Sequence, residues 1–521
     1  MGKLEKYDKT NPLSIENYGQ ELIGKTFRDV IRKDEMLRNI DISESDMQHE
    51  SINLSDKRAQ ENKDNKGNLG QIIEEKHFHY MCNNDSRPDF HEAGVELKVT
   101  PYKINPNGKK VAKERLILTM IDYFSVVNEE FETSHLWNKS KLILLVYYLY
   151  LKETQFRLDY KIDYVKLFTP PEQDIKIIKH DYDVIVKKIK AGKAHELSER
   201  DFMYLSPARK GSGGDEKVKY NDKYPKAKPR AYSFKKSYMT KLFNERMITK
   251  EEKSYILPGT VLPKEKEFDD ILIETLKPYF GRTVESLKKE FPDYCSGYSE
   301  KNAIVKQIYK SENDLEETDE FQKANYKLRT LTVDEKGTPL QDMSFSAFDF
   351  EGLLKEKNWT ESIVYDEMID SKFLLVIFSK NAEGQEILNN ALIWYIPKKD
   401  VNKVKDIWKE ARKVIKNGIK LQQKLSHDRA GRLIFIYENN FPKSSFNKVA
   451  HVRNKAGECE YFCENANSVK LKKPAKVITL KEIPEELKDT PIPTEEYMTK
   501  QCFWFNKKYM KQQIEDFRKS Y

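Results

Sequence analysis

One short segment of the chain combines the side-chain types that metal-assisted hydrolysis requires. Asp89 lies before a glycine-containing turn, and Glu96-Leu97-Lys98 follows it in a stretch that alternates polar and apolar residues. Because successive side chains of a strand point to opposite faces, Glu96 and Lys98 share one face, and Leu97 shares the other with the flanking valines. Burial of the apolar face therefore places a carboxylate and an ammonium group side by side.

Two further carboxylates belong to the same predicted site. The chain can return at Gly94, which brings Asp89 beside Glu96, and Glu74 lies on a helix that precedes this segment. Carboxylates with open positions suit Mg²⁺, a hard cation that keeps waters and accepts phosphate oxygens as ligands. Lys98 is suited to stabilise charge that develops on a phosphate, or to help deprotonate the attacking water. The segment therefore predicts hydrolysis of a phosphodiester by metal-assisted in-line attack.

Hydrophobic patterns predict the elements that position these residues. The most apolar run, 141–151, is about half as long as a bilayer requires and therefore predicts a buried strand. The helical pattern that begins at residue 66 carries Glu74. Further strands are predicted over 92–100 and 116–127, and helices over 20–32 and 181–193.

Composition limits the class of protein. The chain has 521 residues, with 92 basic and 84 acidic side chains, a net charge of +8, and 38% hydrophobic residues. This excludes a polytopic membrane protein and a largely disordered chain, and the length allows two to four domains at about 150 residues each. No apolar secretory region follows the first methionine, and five cysteines are too few for a disulfide framework. We therefore expect a cytoplasmic protein with no membrane partner.

The second half of the chain repeats the first, weakly but in the same order. This predicts a duplicated domain, with a boundary in the proline- and glycine-containing stretch at 255–268. The expected domains are 1–258 and 265–521. The matching segments are Asp89–Lys98 with Glu320–Arg329, Lys139–Val146 with Asp370–Ile377, Lys188–Gly192 with Val414–Gly418, and Tyr232–Met239 with Phe503–Met510.

Several motifs together resemble the MutH mismatch-repair endonucleases, a family of PD-(D/E)xK nucleases. Lys66-Gly67 and Gly70-Gln71 lead to Glu74, the segment 89–98 follows, and similar segments lie at 131–139, 204–210 and 230–236. The whole length, including 451–453 and 498–504, looks like the staphylococcal-type GATC-cutting type II restriction endonucleases. The resemblance implies an α/β fold of two tandem MutH-like, restriction-endonuclease-like domains, each a mixed β-sheet flanked by helices.

The resemblance also implies Mg²⁺-dependent cleavage of double-stranded DNA at GATC, and it assigns the catalytic residues. Lys98 is the implied catalytic lysine, and Lys139 is an accessory active-site lysine. The implied catalytic carboxylates are Glu74, Asp89 and Glu96, which also hold the metal. The implied metal ligands are Glu74, Asp89, Glu96 and the carbonyl of Leu97.

Basic residues outside this segment are expected to contact DNA. Arginine and lysine suit that role because guanine O6 and N7 accept their hydrogen bonds in the major groove. The basic loop 206–230 is expected near the DNA backbone on the same ground. The expected DNA-binding residues are Lys66, Gly67, Arg209, Lys210, Arg230, Lys235 and Arg453.

Two departures from the family pattern refine the prediction. Ser233 stands where the repair enzymes have a tyrosine that contacts the adenine subject to methylation, which puts methylation sensing in doubt. In the second half, Glu96 aligns with Lys327 and Lys98 aligns with Arg329, so a lysine replaces a metal ligand. We therefore expect the second half to bind DNA without cutting it.

One active site per chain has a consequence for assembly. A GATC duplex is two-fold symmetric, so cutting both strands requires two active sites or two successive nicks. We expect a monomer in solution that dimerises on DNA. Two alternatives stay open: a repair-type nicking endonuclease specific for hemimethylated GATC, and a DNA-binding regulator built from two inert nuclease folds.

Overall fold

The computed structural model divides the chain into two compact units. The first contains the described residues up to Phe268 together with 314–325, and the second contains 269–311 and the residues from 326 onward. No helix among the described residues is long and apolar enough to cross a bilayer. The structure describes residues 7–38, 69–80, 87–105, 108–151, 153–154, 156–210, 223–245, 268–292, 300–311, 314–356, 358–428, 430–454, 461 and 463–520.

Both units contain helices and strands, so the fold is mixed α/β. The helices are α1 (Pro12–Gln20), α2 (Phe27–Arg38), α3 (Leu69–Ile72), α4 (His135–Ser140), α5 (Glu172–Lys190), α6 (Lys236–Phe243), α7 (Phe268–Leu276), α8 (Val284–Glu290), α9 (Glu300–Ile308), α10 (Asp319–Ala324), α11 (Phe350–Lys355), α12 (Val401–Asn417) and α13 (Lys507–Ser520). The strands of the first unit are β1 (Glu96–Ile104), β2 (Lys110–Ala112), β3 (Leu116–Met120), β4 (Ile143–Leu149), β5 (Ile162–Phe168), β6 (Leu205–Arg209) and β7 (Arg230–Phe234). Those of the second are β8 (Tyr326–Thr332), β9 (Met343–Ala347), β10 (Lys372–Lys380), β11 (Glu386–Trp394), β12 (Lys420–His427), β13 (Leu433–Asn439), β14 (Ala450–Asn454), β15 (Ser468–Lys470), β16 (Lys476–Ile478), β17 (Tyr497–Thr499) and β18 (Gln501–Phe505).

A mixed sheet in the order β2-β1-β4-β5 forms the centre of the first unit. β1 runs parallel to β4, with Glu96 opposite Ile143, and β5 is antiparallel to β4. The predicted buried strand in 141–151 is confirmed, because β4 lies in the middle of the sheet and its apolar side chains are buried on both faces. The segment that carries Glu96 and Lys98 therefore begins the strand next to the most buried one.

A second, antiparallel sheet in the order β3-β7-β6 belongs to the same unit. Helix α6 follows β7 directly, and its last residue, Phe243, packs on the mixed sheet. The Phe243 ring centroid lies 4.8 Å from that of Tyr102 and 4.7 Å from that of Tyr147. This aromatic contact fixes the strand pair β6–β7 relative to the strand that carries Glu96 and Lys98.

The second unit contains the same two arrangements of strands. β8 runs parallel to β10, with Lys327 opposite Phe373, and β11 is antiparallel to β10. A three-stranded antiparallel sheet, in the order β14-β18-β9, corresponds to β6-β7-β3. Two smaller sheets, β13-β12-β16 and β15-β17, are further parts of this unit.

Several predicted bounds are wrong, and backbone conformation explains them. A single helix over 20–32 does not form, because Gly24 has a φ of +86° and lies in the turn between α1 and α2. The strand predicted over 92–100 begins only at Glu96, since Gly94 has a φ of +67° and closes a turn. The strand predicted over 116–127 ends at Met120, and the helix predicted over 181–193 begins at Glu172.

Residues 314–325 pack in the first unit, whereas the predicted boundary assigns them to the second half. The buried ammonium group of Lys323 lies 2.9 Å from a carboxylate oxygen of Asp174. The hydroxyl of Ser237 donates a hydrogen bond of 2.6 Å to the carbonyl of Lys323. Removing one partner of a buried ion pair strongly destabilises a fold, because it leaves the other charge buried and unpaired. The Lys323–Asp174 pair therefore holds the segment 314–325 to the first unit.

Candidate active site

A tight turn holds Asp89 beside the first residues of β1. Phe90 and Val95 exchange backbone hydrogen bonds of 2.9 and 3.1 Å across the turn that Gly94 closes. One carboxylate oxygen of Asp89, Oδ2, accepts a hydrogen bond of 2.8 Å from the backbone N–H of Leu97. The turn therefore brings a carboxylate next to the strand and aims it at the residue between Glu96 and Lys98.

Glu96 is the centre of a charged cluster. The residue is only 1% exposed, and the Nζ atom of Lys98 lies 2.6 Å from its Oε1 atom. The Nζ atom of Lys139, at the end of α4, lies 3.4 Å from each oxygen of the same carboxylate. A buried carboxylate is stable in its charged form only when it is paired, and these two lysines supply the pairing.

Glu74 lies in a π-helical turn, Ile73–His77, that directly continues α3. Such turns widen a helix locally and occur frequently at functional sites. Burial and the negative charge of Glu96, with a smaller effect of Glu74, raise the pKa of Asp89 to about 6. The structure therefore brings the three carboxylates close enough to repel one another, although they come from separate elements.

The donor set fits a hard divalent cation. The Oε2 atom of Glu96 is buried and accepts no hydrogen bond from any described residue. The N–H of Glu96 donates to Leu142 on the β4 side, so the N–H and C=O of Leu97 point to the other side of the strand, where the N–H donates to Asp89. Oxygen ligands of this kind are those that Mg²⁺ prefers.

Lysines and a backbone amide hold Asp89 and Glu96 in the structure. Within the described residues, no three acidic, histidine or cysteine side chains are grouped so that they hold a metal ion. Lys98 and Lys139 hold Glu96, and the Leu97 amide holds Asp89. A bound cation would therefore compete with Lys98 for Glu96, and side-chain rotation would complete its coordination.

The expected DNA-binding residues of the first unit are only partly exposed. Arg209 and Lys210 are exposed at the end of β6, and the backbone N–H of Arg209 donates to Glu199 at 3.0 Å. Lys235 is half-buried between β7 and α6. Lys66 and Gly67 lie outside the described residues.

Arg230 is placed differently from its expected role. It is 4% exposed, and its guanidinium group donates to the backbone carbonyls of Pro207, at 2.6 Å, and Leu197. Burial lowers its pKa. In this structure Arg230 therefore joins β7 to β6 and to the chain before it, and its guanidinium group does not face solvent.

In the second unit an arginine side chain lies on the backbone of its own strand. Arg329 follows Leu328 as Lys98 follows Leu97, and an Nη atom of Arg329 donates a hydrogen bond of 2.6 Å to the Leu328 carbonyl. The guanidinium carbon also lies 5.9 Å from the ring centroids of both Phe345 and Phe373. The side chain is thus turned back onto its own strand and covers the carbonyl that corresponds to that of Leu97.

Arg453 lies on β14, where Trp504 and Asp342 hold its side chain. Its guanidinium carbon is 4.2 Å from the ring centroid of Trp504, and its side chain is 47% exposed. Asp342 lies 3.3 Å from one guanidinium nitrogen, and the indole N–H of Trp504 donates to the Arg453 carbonyl at 3.1 Å. An arginine fixed in this way has lost little of its hydrogen-bonding capacity and offers a flat charged edge to solvent.

Two buried polar residues of the first unit hold its second sheet in place. Asp181 is buried in α5 and accepts hydrogen bonds from the backbone N–H groups of Met203, Tyr204 and Leu205, which fixes the start of β6. Ser233 is fully buried, and its hydroxyl lies 3.1 Å from that of Ser206. The sequence points to Asp181 only through its position, since this acidic residue lies on the apolar face of the helix, between Ile178 and Tyr182.

Comparison with known proteins defines the class. The family model for the DNA mismatch repair enzyme MutH matches residues 78–181, which include Asp89, Glu96, Lys98 and Lys139. Two DNA mismatch repair proteins MutH are similar over 193 residues: that of Vibrio campbellii is 27% identical and that of Vibrio parahaemolyticus 26% identical. Each match covers 36% of this chain and 80% of the relative. The first unit therefore contains a MutH-type nuclease domain, as its motifs indicate.

A longer match defines the family. The type II restriction enzyme Sau3AI of Staphylococcus aureus is 32% identical over 471 residues, which cover 87% of this chain and 93% of the relative. The chain belongs to the same family and is a type II restriction endonuclease of the MutH-like class. The resemblance inferred from the motifs is confirmed.

Proposed function

We propose that the chain cleaves double-stranded DNA at GATC sites in a Mg²⁺-dependent reaction. The observation that carries the proposal is the cluster of Asp89, Glu96 and Lys98, in which two acidic groups and a lysine converge at the start of one strand. The family to which the chain belongs supports the reaction type. The GATC site rests on the motif resemblance of the first half.

Each residue of the cluster has a definable task. Asp89, Glu96, Glu74 and the Leu97 carbonyl would hold Mg²⁺, which when bound activates water and polarises the phosphate. Lys98 would donate to a phosphate oxygen as negative charge develops there. Lys139 lies 3.4 Å from both oxygens of Glu96 and would hold that carboxylate in position.

We further propose that the two units are tandem MutH-like domains, of which only the first cuts. The repeated strand arrangement supports the duplication. The Arg329 guanidinium on the Leu328 carbonyl, with Lys327 in place of a carboxylate, argues against a metal site in the second domain. The Arg453 side chain, held over Trp504 and half-exposed, supports a retained contact with DNA.

One catalytic cluster per chain leads to a proposal about assembly. The chain would be a monomer in the cytoplasm that dimerises on DNA, so that two clusters reach the two strands of one site. A second GATC duplex bound to the second domain would favour this dimer. Plasmids with one and two GATC sites test the idea: two sites, or one site with added GATC oligonucleotide, should be cut faster. Equal rates in all three reactions would contradict it.

The experiment that tests the function itself is digestion of a plasmid in Mg²⁺, followed by sequencing of the fragment ends. Every end should map to GATC. Unmethylated, hemimethylated and fully adenine-methylated substrates should be included, because the buried Ser233 offers no side chain comparable to the adenine-contacting tyrosine of the repair enzymes. Ends at unrelated sequences, or no cutting in Mg²⁺, would refute the proposal.

A further inference from the structure

The π-helical turn that carries Glu74 is held at its end by α1 and the residues before it. The hydroxyl of Tyr18 donates a hydrogen bond of 3.1 Å to the carbonyl of His77, and the Nε2 atom of His77 lies 2.9 Å from the carbonyl of Tyr18. The hydroxyl of Tyr7 donates to the carbonyl of Phe78 at 2.9 Å. These contacts fix the backbone three and four residues after Glu74.

Asp34 of α2 is a buried acidic residue beside the same turn. It is 1% exposed, its Oδ2 atom lies 3.5 Å from the Nζ atom of Lys76, and its Oδ1 atom lies 3.5 Å from the Nδ1 atom of His79. A buried carboxylate is costly unless positive or hydrogen-bonding groups compensate it. Lys76 and His79, two and five residues after Glu74, are therefore held to α2 by the same side chain.

His79 connects this contact with the backbone of Glu74. Its φ is +52°, in the left-handed region that residues other than glycine seldom adopt. Such a conformation costs about 1–2 kcal/mol and persists only where the surroundings impose it. The backbone N–H of the next residue, Tyr80, donates to the carbonyl of Glu74 at 2.8 Å. The bend that Asp34 contacts thus closes directly on Glu74.

We propose that Asp34 is a positioning residue for Glu74. It holds Lys76 and His79, and thereby sets the backbone from which the Glu74 carboxylate reaches the metal site. The inference deepens the proposed function and rests on it, since Glu74 is there a ligand of Mg²⁺. Asp34 belongs to none of the motifs and lies outside residues 78–181, which the family model matches.

The negative charge of Asp34 is the property that the position requires. Lys25, Lys33 and Lys76 line a cavity of about 10 Å³ beside it, and Lys33 is also paired with Glu21 at 3.2 Å. Burial and the charge of Lys33 lower the pKa of Lys25, which shows that positive charge is crowded there. Without Asp34, these cations would repel one another with little water to screen them. The turn that contains Lys76 would then move away from α2.

Asp34→Asn tests the proposal, because it removes the charge and keeps the size of the side chain. The Mg²⁺ concentration that gives half the maximal single-turnover cleavage rate should rise roughly 10-fold, and excess Mg²⁺ should restore most of the rate. The dissociation constant for Ca²⁺, measured by calorimetry on the protein bound to a GATC duplex, should rise by a similar factor. An unchanged metal requirement, or a loss of rate that excess Mg²⁺ does not restore, would overturn the assignment.

Asp29→Asn is the matched control on the same helix. Asp29 is exposed, and its carboxylate accepts hydrogen bonds from the backbone N–H and the hydroxyl of Thr26, at 2.9 and 2.7 Å. This variant loses the same charge and weakens the start of α2, so it should melt at a lower temperature but need no more Mg²⁺ than the wild type. An equal rise of the metal requirement in both variants would mean that the stability of α2 controls the site, and would refute the positioning role.

A double variant shows whether Asp34 acts through Glu74. Glu74→Gln alone should raise the dissociation constant for Ca²⁺ in the duplex complex, and addition of Asp34→Asn should raise it no further. Additive increases would place the effect of Asp34 elsewhere and refute only this inference. Failure of the wild type to cut GATC duplexes in Mg²⁺ would refute the proposed function and the inference together.

Discussion

The first strands of the two units, β1 and β8, have the same pairing in their sheets but differ in the charge of one side chain. In each case a residue with left-handed backbone, Gly94 or Asn325, lies within two residues of the start of a strand that pairs in parallel with a buried neighbour. In the first unit, that strand places Glu96 among two lysines and near two other carboxylates. In the second, Lys327 takes the place of the glutamate.

The cations that follow Leu97 and Leu328 have different partners in the two units. Lys98 reaches sideways to Glu96, whereas Arg329 folds back on the Leu328 carbonyl and lies near two phenylalanine rings. A guanidinium group satisfies the carbonyl that a cation would need, and its own charge repels a cation. The comparison shows that the cation of the second strand is held by a carbonyl of its own strand, whereas the cation of the first strand is held by a carboxylate.

The largest expected effect distinguishes Glu96 from Lys327, the residues that lie at the same place in the first strands of the two units. Glu96→Gln should reduce the cleavage rate on the order of 10³-fold or more, because it removes the charge that holds the cation. Lys327→Gln should leave the rate at saturating DNA unchanged. Single-turnover cleavage of a GATC duplex measures both, and binding in Ca²⁺ shows that the variants are folded. Equal losses in the two variants would abolish the distinction between the units.

The next largest effect concerns Lys98 and Arg329, the cations that lie two residues after Glu96 and Lys327. Lys98→Met should slow cleavage roughly 100-fold or more and leave duplex binding in Ca²⁺ nearly intact, since the lysine acts on charge that develops during the reaction. Arg329→Met should lower the melting temperature, because it leaves a buried carbonyl without its donor, and should not slow cleavage at saturating DNA. If Lys98→Met cuts normally, the catalytic assignment of this lysine is wrong.

A smaller effect tests whether the second unit binds DNA. Arg453→Ala should raise the concentration of GATC oligonucleotide that half-stimulates cleavage of a one-site plasmid, roughly 10- to 100-fold. Arg432→Ala is a suitable control, since Arg432 is an 81% exposed arginine of the same unit and is paired with Asp428. The same shift in both variants would mean a general loss of positive charge, not a specific contact.

The smallest effect is a pH-dependent change in stability. The pKa of Asp89 is raised to about 6, so the folded protein without metal is destabilised by the ionised carboxylate above that pH. Asp89→Asn, which keeps an acceptor for the Leu97 amide, should therefore unfold at a higher temperature than the wild type at pH 8. The difference should diminish as the pH falls through 6 and vanish near pH 4, where both side chains are neutral. Thermal unfolding in a chelator measures it, and a difference independent of pH would exclude the charge as its cause.

The sequence by itself identified the chemistry and the strand that carries it. Alternation puts Glu96 and Lys98 on one face, the apolar run at 141–151 predicts the buried neighbour strand, and the motif set indicates the family. These features are local: side-chain period and hydrophobic content depend on the few residues around each position. They are therefore readable without knowing where the rest of the chain goes.

Only the tertiary structure decided which groups meet across separate elements. The approach of Lys139 to Glu96, the burial of Arg230 against two carbonyls and the contact of Asp34 with Lys76 all depend on packing between distant segments. A charged side chain has the same local pattern whether its end faces DNA, solvent or another part of the chain. Burial and partner geometry settle that choice, and they arise from the whole fold, because each depends on which surfaces the sheets and helices leave open.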